Sequence, residues 1–134
     1  MRPSRAAHAV DERAAIDAVR DEMLSYGKAF WKRRTSLEAS QARLDGVWGE
    51  LAKHRRAEGL DQVAARETAA LVATARWSTR AALARTETRG LHARADAPEL
   101  APDGARRLLV GGLDALWTRY ETPAARTLLA EAAA

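Results

Sequence analysis

Apolar residues recur at helical spacing in three separate stretches of the chain. The first stretch predicts a helix over residues 11–26, with Asp11 as its N-cap. Ile16, Val19 and Met23 mark its apolar face, and the glycine that follows ends it. We therefore expect one amphipathic helix near the N-terminus.

A loop and a second helix come next. The loop is predicted to carry Phe30 and Trp31 turned inward. The sequence from Thr35 to Glu38 has the pattern of a capping box, which begins a helix. This helix is predicted to end near Arg56. Five apolar residues mark its inner face: Leu37, Leu44, Val47, Trp48 and Leu51.

The third stretch is the longest. It begins at Leu60 or Asp61, runs to about Thr88 and is ended by Gly90, which can adopt the left-handed conformation of a helix C-cap. Its predicted inner face carries small and apolar residues: Val63, Ala64, Leu71, Ala75, Ala82 and Leu83. Three unequal helices with short connections predict an all-α fold, an up-down-up three-helix bundle similar to a spectrin repeat.

The C-terminal part of the chain is less regular. Prolines exclude helix from residues 91–103. Residues 106–120 fit either a β-hairpin about Gly111 and Gly112 or one more helix broken by these glycines. The predicted division of the chain is a loose leader at 1–10, a helical bundle at 11–103 and an extension at 104–134.

Composition and charge narrow the possible chemistry. The chain has no cysteine, which excludes disulfides, thiolate metal sites and cysteine nucleophiles. No apolar run reaches membrane-spanning length, and the expected location is the cytoplasm. The net charge is +4, and basic clusters lie at residues 32–34 and 53–56. Such clusters can bind nucleic acid, but the favoured interpretation is capping of helix C-termini, so a nucleic-acid partner is disfavoured.

The densest charge pattern lies at residues 82–98, where the third helix ends. Within it, nearly every second position is a charged residue, a glycine, a histidine or a proline. These positions are Arg85, Glu87, Arg89, Gly90, His92, Arg94, Asp96 and Pro98. A solvated helix face places charges more loosely, so the pattern predicts a specific docking surface.

This pattern resembles the C-terminal helical domain of the succinate dehydrogenase, fumarate reductase and L-aspartate oxidase flavoproteins. That family carries Ala-Arg-x-Glu-Ser-Arg-Gly-x-His-x-Arg-x-Asp-aromatic-Pro at the end of its last long helix. The chain matches it from Ala84 onward and departs at two positions. Thr88 replaces the serine, and Ala97 replaces the aromatic residue, which removes an anchor for the loop.

The resemblance implies a non-catalytic role for this chain. In the family, FAD and the dicarboxylate-binding residues lie in other domains, and this chain lacks the glycine-rich turn that binds a dinucleotide. We assign it no catalytic, cofactor-binding or metal-binding residue. The implied partner is a flavin-binding domain or subunit of an FAD-dependent oxidoreductase. The alternative is a stand-alone helical module that binds another protein.

Two further interpretations concern the motif and its surroundings. Arg85, Arg89, His92 and Arg94 have the side chains that could bind a dicarboxylate directly. The favoured interpretation is that Arg89 and Arg94 pair with Glu87, with Asp96 or with acids of a neighbouring domain. A domain separated from its partner exposes the covered surface, so self-association is expected through apolar residues: Leu91, Leu108 and Leu109.

Overall fold

The structure is a computed structural model, and it describes residues 12–53 and 61–122. Its elements are α1 (Glu12–Met23), α2 (Tyr26–Ala29), α3 (Arg34–Lys53), α4 (Asp61–Ala84), β1 (Leu108–Gly111) and β2 (Trp117–Tyr120). Helices α1, α3 and α4 pack against one another, and the two strands form one antiparallel hairpin. The predicted bundle with a C-terminal hairpin is confirmed. The expected features at Asp11, at 54–60 and after residue 122 lie outside the described residues, and the domain boundaries stay a prediction.

The core lies where the three long helices meet, and it is built mostly from small residues. Leu44 of α3 and Val72 of α4 are its only fully buried large apolar side chains within the described residues. The predicted inner face of α3 is confirmed, because Leu37, Leu44 and Trp48 are buried while two others pack against them. The core cluster consists of Ala15, Val19, Leu44, Trp48, Val72, Ala73 and Ala75.

The predicted inner face of α4 is wrong in the first part of the helix, where Val63, Ala64 and Leu71 are exposed, and is confirmed at Ala75, which is buried. Val63 and Leu71 are 56% and 41% exposed. The buried positions of α4 are half apolar and half polar: Val72, Ala73, Ala75, Thr68, Arg76 and Thr79. Polar side chains can lie inside a bundle when they are hydrogen-bonded. The Thr79 hydroxyl donates to the carbonyl of Ala75 at 3.0 Å, which removes most of the cost of its burial.

The segment between α1 and α3 also differs from the prediction. The first helix ends at Met23, and a short helix replaces the expected loop. Phe30 and Trp31 are 54% and 61% exposed, so the prediction that they turn inward is wrong. The backbone of the next residue explains their position. Lys32 donates its N–H to Ala93 and accepts from Ala95, which holds this segment against the motif loop at one end of the bundle.

The hairpin interpretation of residues 106–120 is confirmed, and its loop is longer than a two-residue turn. Gly111 pairs with Trp117 as the last rung of the ladder, and residues 112–116 form the connection. Gly112 has φ +88, a conformation that favours glycine. Its carbonyl accepts from the indole N–H of Trp77 at 2.7 Å, and the Leu113 carbonyl accepts from Arg76 at 2.6 Å. These two bonds attach the hairpin loop to α4.

Candidate functional site

The motif begins where α4 ends, and side chains of the loop cap this helix. The last helical residue is Ala84, so the prediction that the helix runs to Thr88 is wrong. The imidazole Nε2–H of His92 donates to the carbonyl of Arg85 at 3.1 Å. The guanidinium of Arg94 donates to the same carbonyl and to that of Ala82, both at 3.0 Å. Carbonyls that a helix end leaves without partners are thereby satisfied.

Gly90 forms a tight turn beyond the helix end and is not its C-cap. Arg89 and His92 exchange two backbone hydrogen bonds, at 2.9 and 3.1 Å, with Gly90 and Leu91 between them. Gly90 has φ +57, which a two-residue turn of this kind requires at its first central position. The predicted left-handed conformation of Gly90 is confirmed. Its predicted place as the helix C-cap is wrong, because Gly90 lies in a turn beyond the helix that brings His92 back toward the helix end. The turn leaves Leu91 at its tip, 93% exposed.

Arg94 and Asp96 connect the end of α4 with the start of α3. Two parallel hydrogen bonds join them: Arg94 Nε to Oδ1 at 2.8 Å and Nη2 to Oδ2 at 2.9 Å. Oδ2 also accepts the backbone N–H of Arg34, the first residue of α3, at 2.9 Å. The Arg94 guanidinium, followed by this N–H, holds the pKa of Asp96 well below its usual range. Its negative charge lies at a helix N-terminus, where the helix dipole favours an anion.

The capping box predicted at Thr35 and Glu38 is replaced by this arrangement. Helix α3 begins one residue earlier, and the Ser36 hydroxyl accepts the N–H of Arg33 at 3.2 Å. Glu38 pairs with the side chain of Arg34 on the surface. The start of α3 therefore depends on Asp96, a residue 62 positions away in the chain.

Glu87 is the most buried charged residue of the motif. Its carboxylate accepts hydrogen bonds from Arg85 Nη1 at 2.7 Å, Arg89 Nε at 3.0 Å and the backbone N–H of Ala101 at 3.1 Å. Burial acts to raise the pKa of Glu87, but these three donors together lower it below its ordinary value. Arg85 also donates to the Gly104 carbonyl at 2.7 Å, which ties the residues after the motif to the same carboxylate.

The two departures from the family pattern fit the loop differently. The hydroxyl of Thr88 accepts the N–H of Arg94 at 2.9 Å and donates to the carbonyl of Ala97 at 3.0 Å. A serine hydroxyl could make the same two bonds, so this change keeps the loop's geometry. Ala97 is only partly covered, and Pro98 is exposed.

The structure brings six of the eight predicted motif residues into one hydrogen-bonded network, with Gly90 in the turn between Arg89 and His92. Arg89 pairs with Glu87 and Arg94 with Asp96, the pairing that the sequence favoured over direct dicarboxylate binding. Within residues 12–53 and 61–122, no group of three or more His, Asp or Glu is placed to hold a metal ion. No helix in the same ranges is long and apolar enough to cross a membrane. The docking role of the motif stays a prediction.

Protonation of His92 is expected to make the stability of the protein depend on pH. Burial lowers the pKa of His92, and the nearby cations Lys32 and Arg94 add to this effect against the bond to Arg85. A folded pKa below the unfolded value of about 6.5 means that stability is present above that pH and lost as pH falls. We expect the free energy of unfolding to decrease as pH falls below about 7, and His92→Gln to lack this part of the decrease. Chemical denaturation at a series of pH values measures both, and identical profiles would contradict the prediction.

Sequence reasoning missed a second buried acid, Glu22 of α1. It accepts hydrogen bonds from Lys28 at 2.8 Å, from Arg43 at 2.7 Å and from the Ser40 hydroxyl. Burial acts to raise its pKa, but these donors lower it. Glu22 lies beside a cavity of about 220 Å³ between α1, α2, α3 and α4. Its place three residues after Val19, on the apolar face of α1, is the signal that could have identified it.

Comparison with known proteins assigns the family. No match to this chain was found among curated proteins, and none among solved structures. The family model described as fumarate reductase flavoprotein C-term matches residues 31–120. The matched part includes α3, α4, the complete motif and both strands. The chain therefore belongs to the family of C-terminal domains of fumarate reductase and succinate dehydrogenase flavoproteins.

Proposed function

We propose that this domain packs on the flavin-binding part of an FAD-dependent oxidoreductase of the succinate dehydrogenase and fumarate reductase type. In this role it supports a site that oxidises or reduces a dicarboxylate-like substrate, and it contributes no reacting group. The family match over residues 31–120 is the observation that carries the proposal. FAD then belongs to the complete enzyme and is bound by the other domain.

The geometry of the motif supports a docking role over a catalytic one. Arg85 and Arg94 direct their guanidinium groups at acids and backbone carbonyls of this same chain. A substrate carboxylate would have to displace those partners, which leaves buried groups without hydrogen bonds at a cost of about 1–3 kcal/mol each. By contrast, Leu91 stands fully outside the network on a turn whose backbone is held at both ends. A rigid loop with an apolar tip is suited to contact another protein surface.

The test uses the purified chain, FAD and a fumarate reductase flavoprotein truncated before its own C-terminal domain. The chain alone is expected to show no absorbance of bound flavin after gel filtration. Mixed with the truncated flavoprotein, it is expected to co-elute with it and to raise its fumarate reductase activity. Stoichiometric binding of FAD by the chain alone would overturn the proposal. Specific co-purification with a protein that carries no flavin would favour the stand-alone interaction module.

A further inference from the structure

We propose that Tyr26, Phe30, Trp31, Lys32 and Arg33 form a binding surface for a partner protein that presents apolar side chains flanked by carboxylates. We call these five residues the aromatic–cationic surface. The chemistry of the partner follows from the surface itself. That the partner is the flavin-bearing domain rests on the proposed function.

The three aromatic residues of this surface are all more than half exposed. Tyr26 is 68% exposed, and its ring lies 4.9 Å from that of Phe30, so the two rings form one apolar area; Trp31, the next residue in the chain, is also exposed. An aromatic side chain can bury roughly 150–250 Å². Three of them within six residues provide the apolar centre of a contact surface, and contiguous exposed apolar area marks such sites.

Within the described part of the chain, the two cations of the surface lack an acidic partner, unlike their neighbours. Lys28 pairs with Glu22, and Arg34 pairs with Glu38. The ammonium group of Lys32 donates to the carbonyl of Ala29. Across residues 12–53 and 61–122, neither Lys32 nor Arg33 forms an ion pair.

Burial lowers the pKa of Lys32, so its charged form is held at a cost. A carboxylate brought by a partner would offset this cost. The surface is thus complementary to an apolar area that carries acids at its edge.

The same charges argue against a second copy of this chain as the occupant. A two-fold symmetric contact places the same patch on both sides, so the positive charges of Lys32 and Arg33 from both copies would lie in one interface. Like charges across an interface suppress association. The backbone also connects this surface to the motif. Lys32 pairs with Ala93 and Ala95 at 3.1 and 2.9 Å, so one partner can contact both.

A photo-crosslinking residue tests the inference in the source cell. p-Benzoylphenylalanine replaces Trp31 in one variant and Val63 in a matched control, since both positions are more than half exposed. The control position is far from the surface. Lys32 lines a cavity together with Ala82, near the C-terminal end of α4. Val63 lies near the other end of this helix, about 28 Å from Ala82. Adducts are identified by mass spectrometry after irradiation. We expect the Trp31 position to give a single heterologous adduct, joined at an apolar segment with neighbouring acids.

Adding Lys32→Gln and Arg33→Gln is expected to reduce the yield of that adduct at least about fivefold, because charged pairs contribute to association. An adduct with a flavoprotein supports both proposals. An adduct with a flavin-free protein, joined at such a segment, supports the surface and overturns the proposed function. An adduct with a second copy, a yield no higher than at Val63, or a yield unchanged by the two glutamines overturns the inference. The second-copy outcome would instead show self-association at this surface, whereas the sequence predicts it through Leu91, Leu108 and Leu109.

Discussion

Leu44→Ala is expected to lower the free energy of unfolding by about 4 kcal/mol. Leu44 is 0% exposed at the centre of the core, where α3 faces α1 and α4. The substitution removes buried methyl groups and leaves a cavity. Its neighbours include Ala15, Ala73 and Ala75, whose short side chains cannot move in to fill it. A domain of this size has only about 5–15 kcal/mol of stability, so much of the folded population would be lost.

The measurement is urea denaturation followed by far-ultraviolet circular dichroism. Leu24→Ala is the matched control, because it makes the same chemical change at a side chain that is 74% exposed. The control is expected to change the free energy of unfolding by less than about 0.5 kcal/mol. Equal effects of the two substitutions would show that Leu44 is not at the centre of the core.

The contrast between α3 and α4 shows why one face was predicted correctly and the other was not. On α3 three of the five buried positions are held by Leu37, Leu44 and Trp48, which apolar spacing identifies directly, and only two are polar, Ser40 and Gln41. On α4 the same role falls partly to Thr68, Arg76 and Thr79. Apolar spacing assigns polar residues to the surface, and it therefore selected Val63 and Leu71, which lie outside.

Arg76 explains how a charged residue can occupy the inside of α4. Its guanidinium donates to Asp45 of α3 at 2.6 Å and to the hairpin loop, and it lies 5.0 Å from the ring centre of Trp48. These partners come from two distant parts of the chain, α3 and the hairpin loop, so no local pattern points to them. The Arg76 side chain has these hydrogen-bond partners only in the folded state. A short stretch of sequence around Arg76 therefore predicts an exposed side chain.

The motif shows the same division between local and distant interactions. The pairing of Arg94 with Asp96 and of Arg89 with Glu87 joins residues two positions apart, and their alternation in the sequence was sufficient to predict it. The capping of α3 by Asp96 joins residues 62 positions apart and was not predicted. The exposure of Phe30 and Trp31 likewise depends on where the Lys32 backbone meets the loop. The family resemblance identified the motif residues, and the structure shows which groups their side chains contact.

Gly104→Ala is expected to lower the free energy of unfolding by about 3 kcal/mol. A Cβ at this position would lie 2.1 Å from both carboxylate oxygens of Glu87, so the carboxylate has to move. A free side chain would move at little cost, but this one is held by Arg85, Arg89 and the N–H of Ala101. Displacing it weakens all three bonds together and separates the motif from the residues that follow it. The loss of stability therefore measures how tightly the network is built around Glu87.

Gly46→Ala on α3 is the control, because no atom lies within 4 Å of the added methyl group. A glycine inside a helix costs roughly 0.5–1 kcal/mol relative to alanine, so this substitution is expected to stabilise the protein by that amount. The two changes add the same methyl group and are expected to have opposite signs. Hydrogen exchange gives a local measurement, in which the Ala101 amide exchanges faster in Gly104→Ala beyond the global change. Unchanged stability together with a protected Ala101 amide would mean that the loop accommodates the methyl group, and that Glu87 does not hold the motif in place.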